Sequence, residues 1–287
     1  MTPALPPFSP NLLQDVHVML QVDFMRHALL AGTVLAAAAG LIGYFVVLRH
    51  LVFAGDALSH VAFTGALGVA AVGTNPQVGL FGVTALAAVG IGVLGERARG
   101  RDVAIGTVLA WVLGLGALFL SLYTSRASAA NSTFGVSVLF GSIFGLQAQF
   151  AQLVALIGVG VMAALLVIAR PLLFASIDPD VAAARGVPVR VLNLIFLVLL
   201  AITIAEAVQA VGALLIFALL VTPAAIAHRL LTRPFAALFL SALLAVSFTW
   251  IGLAIGFYAP YPVSFLISAL TFITYVTVVV WQRLRAR

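Results

Sequence analysis

An acid and an imidazole stand inside a strongly apolar stretch, in the run GDALSH from Gly55 to His60, with LIGYFVVL before it and VAFTGALGVAAVG after it. Asp56 and His60 are four positions apart, so on a helix they sit one turn above each other on the same face. A carboxylate oxygen and a neutral imidazole nitrogen converging on one point make half of a site for a borderline divalent cation such as Zn²⁺, the other ligands coming from elsewhere. Because a ligating imidazole must be neutral, protonation of His60 opposes metal binding. The competing account is a private hydrogen-bonded pair that holds two helices together. Either way the position is costly, since Asp at the centre of a spanning helix is roughly 2.5–3.5 kcal/mol uphill, and such residues face a protein interior or a watery path.

Glu206 and Gln209 form a second polar pair, one turn apart near the outer end of a later span. Glu206 can supply a ligand or negative potential to an outward-facing vestibule, or it can sit at the headgroup boundary at little cost. Asn193 and Thr203 are expected to act as interhelical hydrogen-bond partners, and His17, His27 and His228 as interfacial residues.

Composition narrows what can carry these groups. Of 287 residues, 64% are hydrophobic and 8% charged, with a mean hydropathy of +1.24. No soluble domain has that balance, and the expected fold class is an all-α polytopic membrane protein. The absence of cysteine removes disulfides and thiolate-ligated metals. All 14 basic residues are arginine, and nearly all lie at the ends of apolar runs, which is a topology signal and not a nucleic-acid patch. No G-x-x-x-x-G-K-[ST] loop is present, so ATP in the P-loop manner must be handled by another chain. The H-E-x-x-H pattern of a zinc protease is absent too.

The elements that must position the pairs follow in order. Residues 1–23 are a Pro-rich extramembrane or interfacial segment without the pattern of a signal peptide. Spans are expected at about 24–48, 51–73, 78–95, 103–123, 150–169, 191–208, 212–227, 235–257 and 263–281. That makes about nine transmembrane helices, eight to ten because residues 134–149 are short and Gly-rich for a crossing and could re-enter. The domain is thus 24–282, with 283–287 as a tail. Between the fifth and sixth spans, 170–190 breaks the hydrophobicity. Asp178 can cap a short helix with Pro179 at its first position, and Gly186 followed by Pro188 can stop it. Under this arrangement only Arg26 and Arg126 fall outside, which puts the C-terminus in the cytoplasm.

The stretches GDALSH, RDVAIG at 101–106, LFGSIF at 139–144, IDPDVAAARGVPV at 177–189 and VGALLIFALLVTPAAIA at 211–227 together resemble, in order, the zinc/manganese/iron permease family of ATP-binding-cassette importers. The resemblance covers about residues 24–282. It implies a permease subunit, not itself an enzyme, in the plasma (inner) membrane of a prokaryote. It implies a homodimer, cytoplasmic ATPase subunits, an extracytoplasmic metal-binding protein, and no permanently bound cofactor. The transported ion would be Zn²⁺, Mn²⁺ or Fe²⁺, with Asp56 and His60 as metal ligands. The ATPase would be coupled through the 177–187 helix, carrying Asp178, Pro179, Asp180, Ala183, Gly186 and Val187. Two positions depart from the family pattern: Thr64, where a proline is common soon after the histidine, and Thr222, where an aliphatic residue usually precedes the proline. Alternatives are a permease for iron chelates or cobalamin, which shares the architecture, and a proton-coupled secondary cation carrier using Asp56, His60 and Glu206 as a relay.

Overall fold

The computed structural model describes residues 18–94, 101–126, 141, 143–259 and 261–285. Most of the 1–23 segment, with His17, and half of the 134–149 segment lie outside them. In chain order the helices are α1 (Asp23–Leu48), α2 (Val52–Ala71), α3 (Pro76–Leu94), α4 (Arg101–Arg126), a 3-10 turn at Ile143–Gly145, α5 (Ala148–Ile177), α6 (Pro179–Ala184), α7 (Val189–Val211), α8 (Ala213–Leu230), α9 (Pro234–Tyr258) and α10 (Val263–Arg285). No strand occurs among the described residues. Among the described residues, eight helices are long and apolar enough to cross a membrane, and the shorter apolar helix Leu215–Leu230 makes a ninth candidate. The expected all-helical polytopic class is therefore what the chain adopts.

Two groups of helices share α7 between them. α1 is the hub of the first, packing on α5, α8 and α9, with α10 laid against α8 and α9. The second is α2 with α3 and α4. α7 contacts α1, α5 and α8 on one side and α2 and α3 on the other. Its interior face is made of fully buried Phe196, Leu197, Leu200 and Ile204. α4 rests chiefly on α2 and leaves large apolar side chains such as Trp111, 69% exposed, for lipid or another chain. Small residues set the close approaches, as membrane helices without a hydrophobic driving force require. At the α2–α3 crossing a Cβ on Gly65 would lie 2.6 Å from the Gly79 carbonyl oxygen, and one on Gly79 would run into the Gly65 carbonyl.

One expectation needs correcting. The fifth span does not stop at Arg170: α5 runs unbroken to Ile177 with Pro171 inside it. An interior proline removes one ladder bond, but Leu172 and Ala175 are buried beyond it and their packing carries the helix on. The isolated short helix, Pro179–Ala184, is correspondingly shorter than the expected 177–187. Thr203 is a second correction, since its hydroxyl bonds the Leu199 carbonyl of its own helix at 2.9 Å and so does not bridge to a neighbour.

Candidate metal pair and coupling helix

Along the first half of α2, Ala54, Gly55, Ala57, Leu58 and Ser59 are buried by the rest of the chain, while Phe53 is exposed and Asp56 and His60 are half-buried. These three are spaced by three and four residues and so form one stripe down the helix. The His60 Nε2 and Asp56 Oδ1 atoms are 3.8 Å apart, with the side chains 21% and 35% exposed respectively. That gap is too long for a hydrogen bond, so the pair is not locked on itself. Two donors bound to one tetrahedral ion at about 2.1 Å each stand about 3.4 Å apart, and closing the difference takes a small side-chain rotation. The Ser59 hydroxyl, bonded to the Asp56 carbonyl at 2.7 Å, is occupied by the helix backbone and leaves the stripe to the acid and the imidazole. No cluster of three or more His, Cys, Asp or Glu occurs among the described residues.

The stripe is held in place from behind. Besides the Gly65–Gly79 contact, the Thr64 hydroxyl donates to the Val112 carbonyl of α4 at 3.0 Å. Gly116 lies opposite, where a Cβ would come 2.7 Å from the Thr64 oxygen. The departure from the family pattern at Thr64 thus has a function that the sequence did not show: it straps α2 to α4 one turn beyond His60.

Glu206 is 1% exposed, so it does not sit at an exposed headgroup boundary. It lies inside the chain, facing Gly158 of α5 near Val34 of α1. Both of its carboxylate oxygens, and the side-chain oxygen of Gln209, are buried without hydrogen-bond partners. The structure therefore does not bring Glu206 into the α2 pair's coordination cluster. His228 is likewise more than interfacial. Its Nε2 is 3.1 Å from the Tyr44 carbonyl oxygen, and its ring stacks on the Tyr44 ring with centroids 4.4 Å apart, tying α8 to α1.

α6 forms as the sequence predicts. The Asp178 carboxylate accepts from the Val181 backbone N–H at 3.0 Å, Pro179 occupies the first helical position, and Gly186, with φ +81°, ends it in a conformation disfavoured for side-chain-bearing residues. The Val187 N–H closes onto the Ala182 carbonyl at 3.0 Å. Ala182 is buried, whereas Asp178, Pro179, Asp180, Val181, Ala183 and Gly186 are exposed. The result is a short capped helix set between the ends of α5 and α7 with most of its surface exposed.

Comparison with known proteins bears on the family and the fold. The chain is 32% identical over 238 residues, 83% of each sequence, to the manganese import system permease protein ScaB of Streptococcus parasanguinis. It is 31% identical over 244 residues, 85% of this chain and 84% of the relative, to the manganese transport system membrane protein MntC of Listeria innocua. Among solved structures, PsaBC from Streptococcus pneumoniae in complex with Fab superimposes with a TM-score of 0.80 at 26% identity, covering 93% of this chain and 95% of that one. A family model matches residues 21–282, all the spans and the short helix between them, and the chain belongs to the ABC 3 transport family.

Proposed function

We propose that the chain is the membrane permease of an ATP-binding-cassette importer that moves a divalent transition metal into the cytoplasm, with Asp56 and His60 as the ligands that pass it. The observation that carries this is the partly open stripe on α2, where the Asp56 and His60 side chains are 35% and 21% exposed and stand 3.8 Å apart beside Phe53. A second copy related by a two-fold axis, the commonest symmetry of homo-oligomers, would bring its own Asp56 and His60 to the same place and complete four ligands. A divalent ion is far too costly to move through hydrocarbon without such groups. Carboxylate and imidazole suit both Mn²⁺ and Zn²⁺, and the names of the relatives make Mn²⁺ the first ion to test, with Zn²⁺ and Fe²⁺ as competitors.

The energy source in this reading is a separate pair of ATPase subunits. Their closure pushes α6, which is joined to α5 through the single residue Asp178 and to α7 through residues 185–188, so the push reaches the bundle that supports α2. The C-terminus and α6 face the cytoplasm, and an extracytoplasmic binding protein delivers the ion to the opposite side. The test is radioactive Mn²⁺ uptake by vesicles containing the complete transporter. Asp56→Asn and His60→Ala should each abolish it with assembly preserved. A double variant, Asp56→Leu with His60→Met, that still imports at the wild-type rate overturns the assignment. Uptake that persists without the ATPase subunits would make the protein a secondary carrier instead.

A further inference from the structure

Glu206 and Gln209 present three buried side-chain oxygens without hydrogen-bond partners. Neither ion pair among the described residues includes Glu206. The other charged residues of the surrounding helices lie away from it: Arg170 is near the far end of α5 and Arg190 at the first turn of α7. Arg26, two turns from Val34 on α1, is paired with Asp23 at 3.8 Å. Gly158 of α5 and Val34 of α1 close around the acid: a Cβ on Gly158 would stand 3.8 Å from the Glu206 Oε2 atom and 2.7 Å from the Val34 Cγ1 atom. The pair also occupies the last two turns of α7, where the negative end of the helix dipole favours positive charge. A group of acceptors without donors, at the negative end of a helix and sealed in an apolar bundle, is matched by a cation.

We propose that Glu206 and Gln209 hold a small monovalent cation, with Na⁺ as the probe, inside each protomer and separate from the α2 pair. Charge decides the valence. One carboxylate is neutralised by a single positive charge, whereas a divalent ion would leave net charge among Val34, Ala205, Ala207 and Val208. The donor type agrees, because carboxylate and amide oxygens without nitrogen or sulfur suit hard cations. The bound ion would tie α7 to the α1–α5 contact at Gly158. This assignment does not depend on the metal-transport reading, and its test does not use uptake.

The experiment is thermal unfolding of the purified complete transporter in NaCl, KCl or choline chloride at equal ionic strength, without added divalent metal. Wild-type Tm is expected to rise saturably with Na⁺ over choline by about 3 °C. Glu206→Gln should be flat in all three salts, and Asp56→Asn should keep the full rise. An equal response to K⁺ supports the same site with looser size selection. Should Glu206→Gln fail to assemble, Gln209→Met takes its place and should raise the half-saturating Na⁺ concentration about tenfold. A wild type indifferent to both alkali ions, or a response unchanged in the variants, overturns the proposal and leaves Glu206 a neutral buried acid.

Discussion

Asp56 and Glu206 are both carboxylates in spanning helices, yet the fold treats them in opposite ways. Asp56 lies on a stripe that its own chain leaves bare, 3.8 Å from an imidazole that it does not bond. Glu206 is enclosed at 1% exposure with no partner for either oxygen. The first arrangement suits a group that must meet something arriving from outside the protomer, whether an ion or a second subunit. The second suits a group whose counter-charge stays with it. On the roles proposed for them, exposure within one protomer, more than the mere presence of an acid in a membrane, separates a transit ligand from a resident one.

The sharpest way to break this comparison is at the bare stripe. His60→Ala and Asp56→Asn are expected to lower Mn²⁺ uptake by on the order of 100-fold or more, while the protomer's thermal stability moves little, because both side chains keep some exposure and neither makes a hydrogen bond to the other. A large fall in Tm with uptake retained would reverse the roles assigned to the two regions. Reversing both acids of α6, Asp178→Arg with Asp180→Arg, comes next. It removes a cap worth about 1 kcal/mol and inverts the charge offered to the ATPase. ATP hydrolysis should then no longer rise when metal-loaded binding protein is added, although Mn²⁺ binding to the permease persists. Lost metal binding with normal ATPase stimulation would count against α6 as the coupling element.

Glu206→Leu sharpens the comparison from the other side. Replacing an unpartnered buried acid by an apolar residue of similar size is often neutral or stabilising. In choline chloride the variant should thus be at least as stable as wild type, and the order should invert in NaCl. A loss of about 3 kcal/mol or more in both salts would show instead that Glu206 makes interactions the fold depends on.

Much of the arrangement was legible in the sequence because it rests on local rules. The four-residue spacing of Asp56 and His60 puts them on one face whatever surrounds the helix, and Asp178-Pro179 with Gly186 punctuates α6 by backbone chemistry alone. What was not legible depended on neighbours. Arg170 and Pro171 look like a terminator, and only packing of Leu172 and Ala175 shows that α5 continues. Along α7 every face is apolar, so periodicity could not say that Glu206 points inward and not to the headgroups. The hydroxyl of Thr203 could have reached another helix, but its own Leu199 carbonyl was nearer. The enclosed acid was singled out as a polar residue in a span, yet the absence of any partner is a three-dimensional fact.

The smallest effect is expected at Thr64, behind the bare stripe. Its hydroxyl makes the hydrogen bond from α2 to the Val112 carbonyl of α4 at 3.0 Å, and Gly116 gives it space. Valine has nearly the same shape, so Thr64→Val removes the bond and little else. Hydrogen bonds between membrane helices average about 0.6 kcal/mol, and the loss of stability should be of that size. α4 has few other attachments besides α2, so the consequence should concentrate there: faster amide exchange in α4 around Val112 with α1 and α7 unchanged. If Thr64 also fixes the orientation of His60, half-maximal uptake should shift to higher Mn²⁺ with the maximal rate preserved. Unaltered exchange in α4 together with an unaltered uptake curve would show that the strap is incidental and that the Gly65–Gly79 contact alone sets the position of the pair.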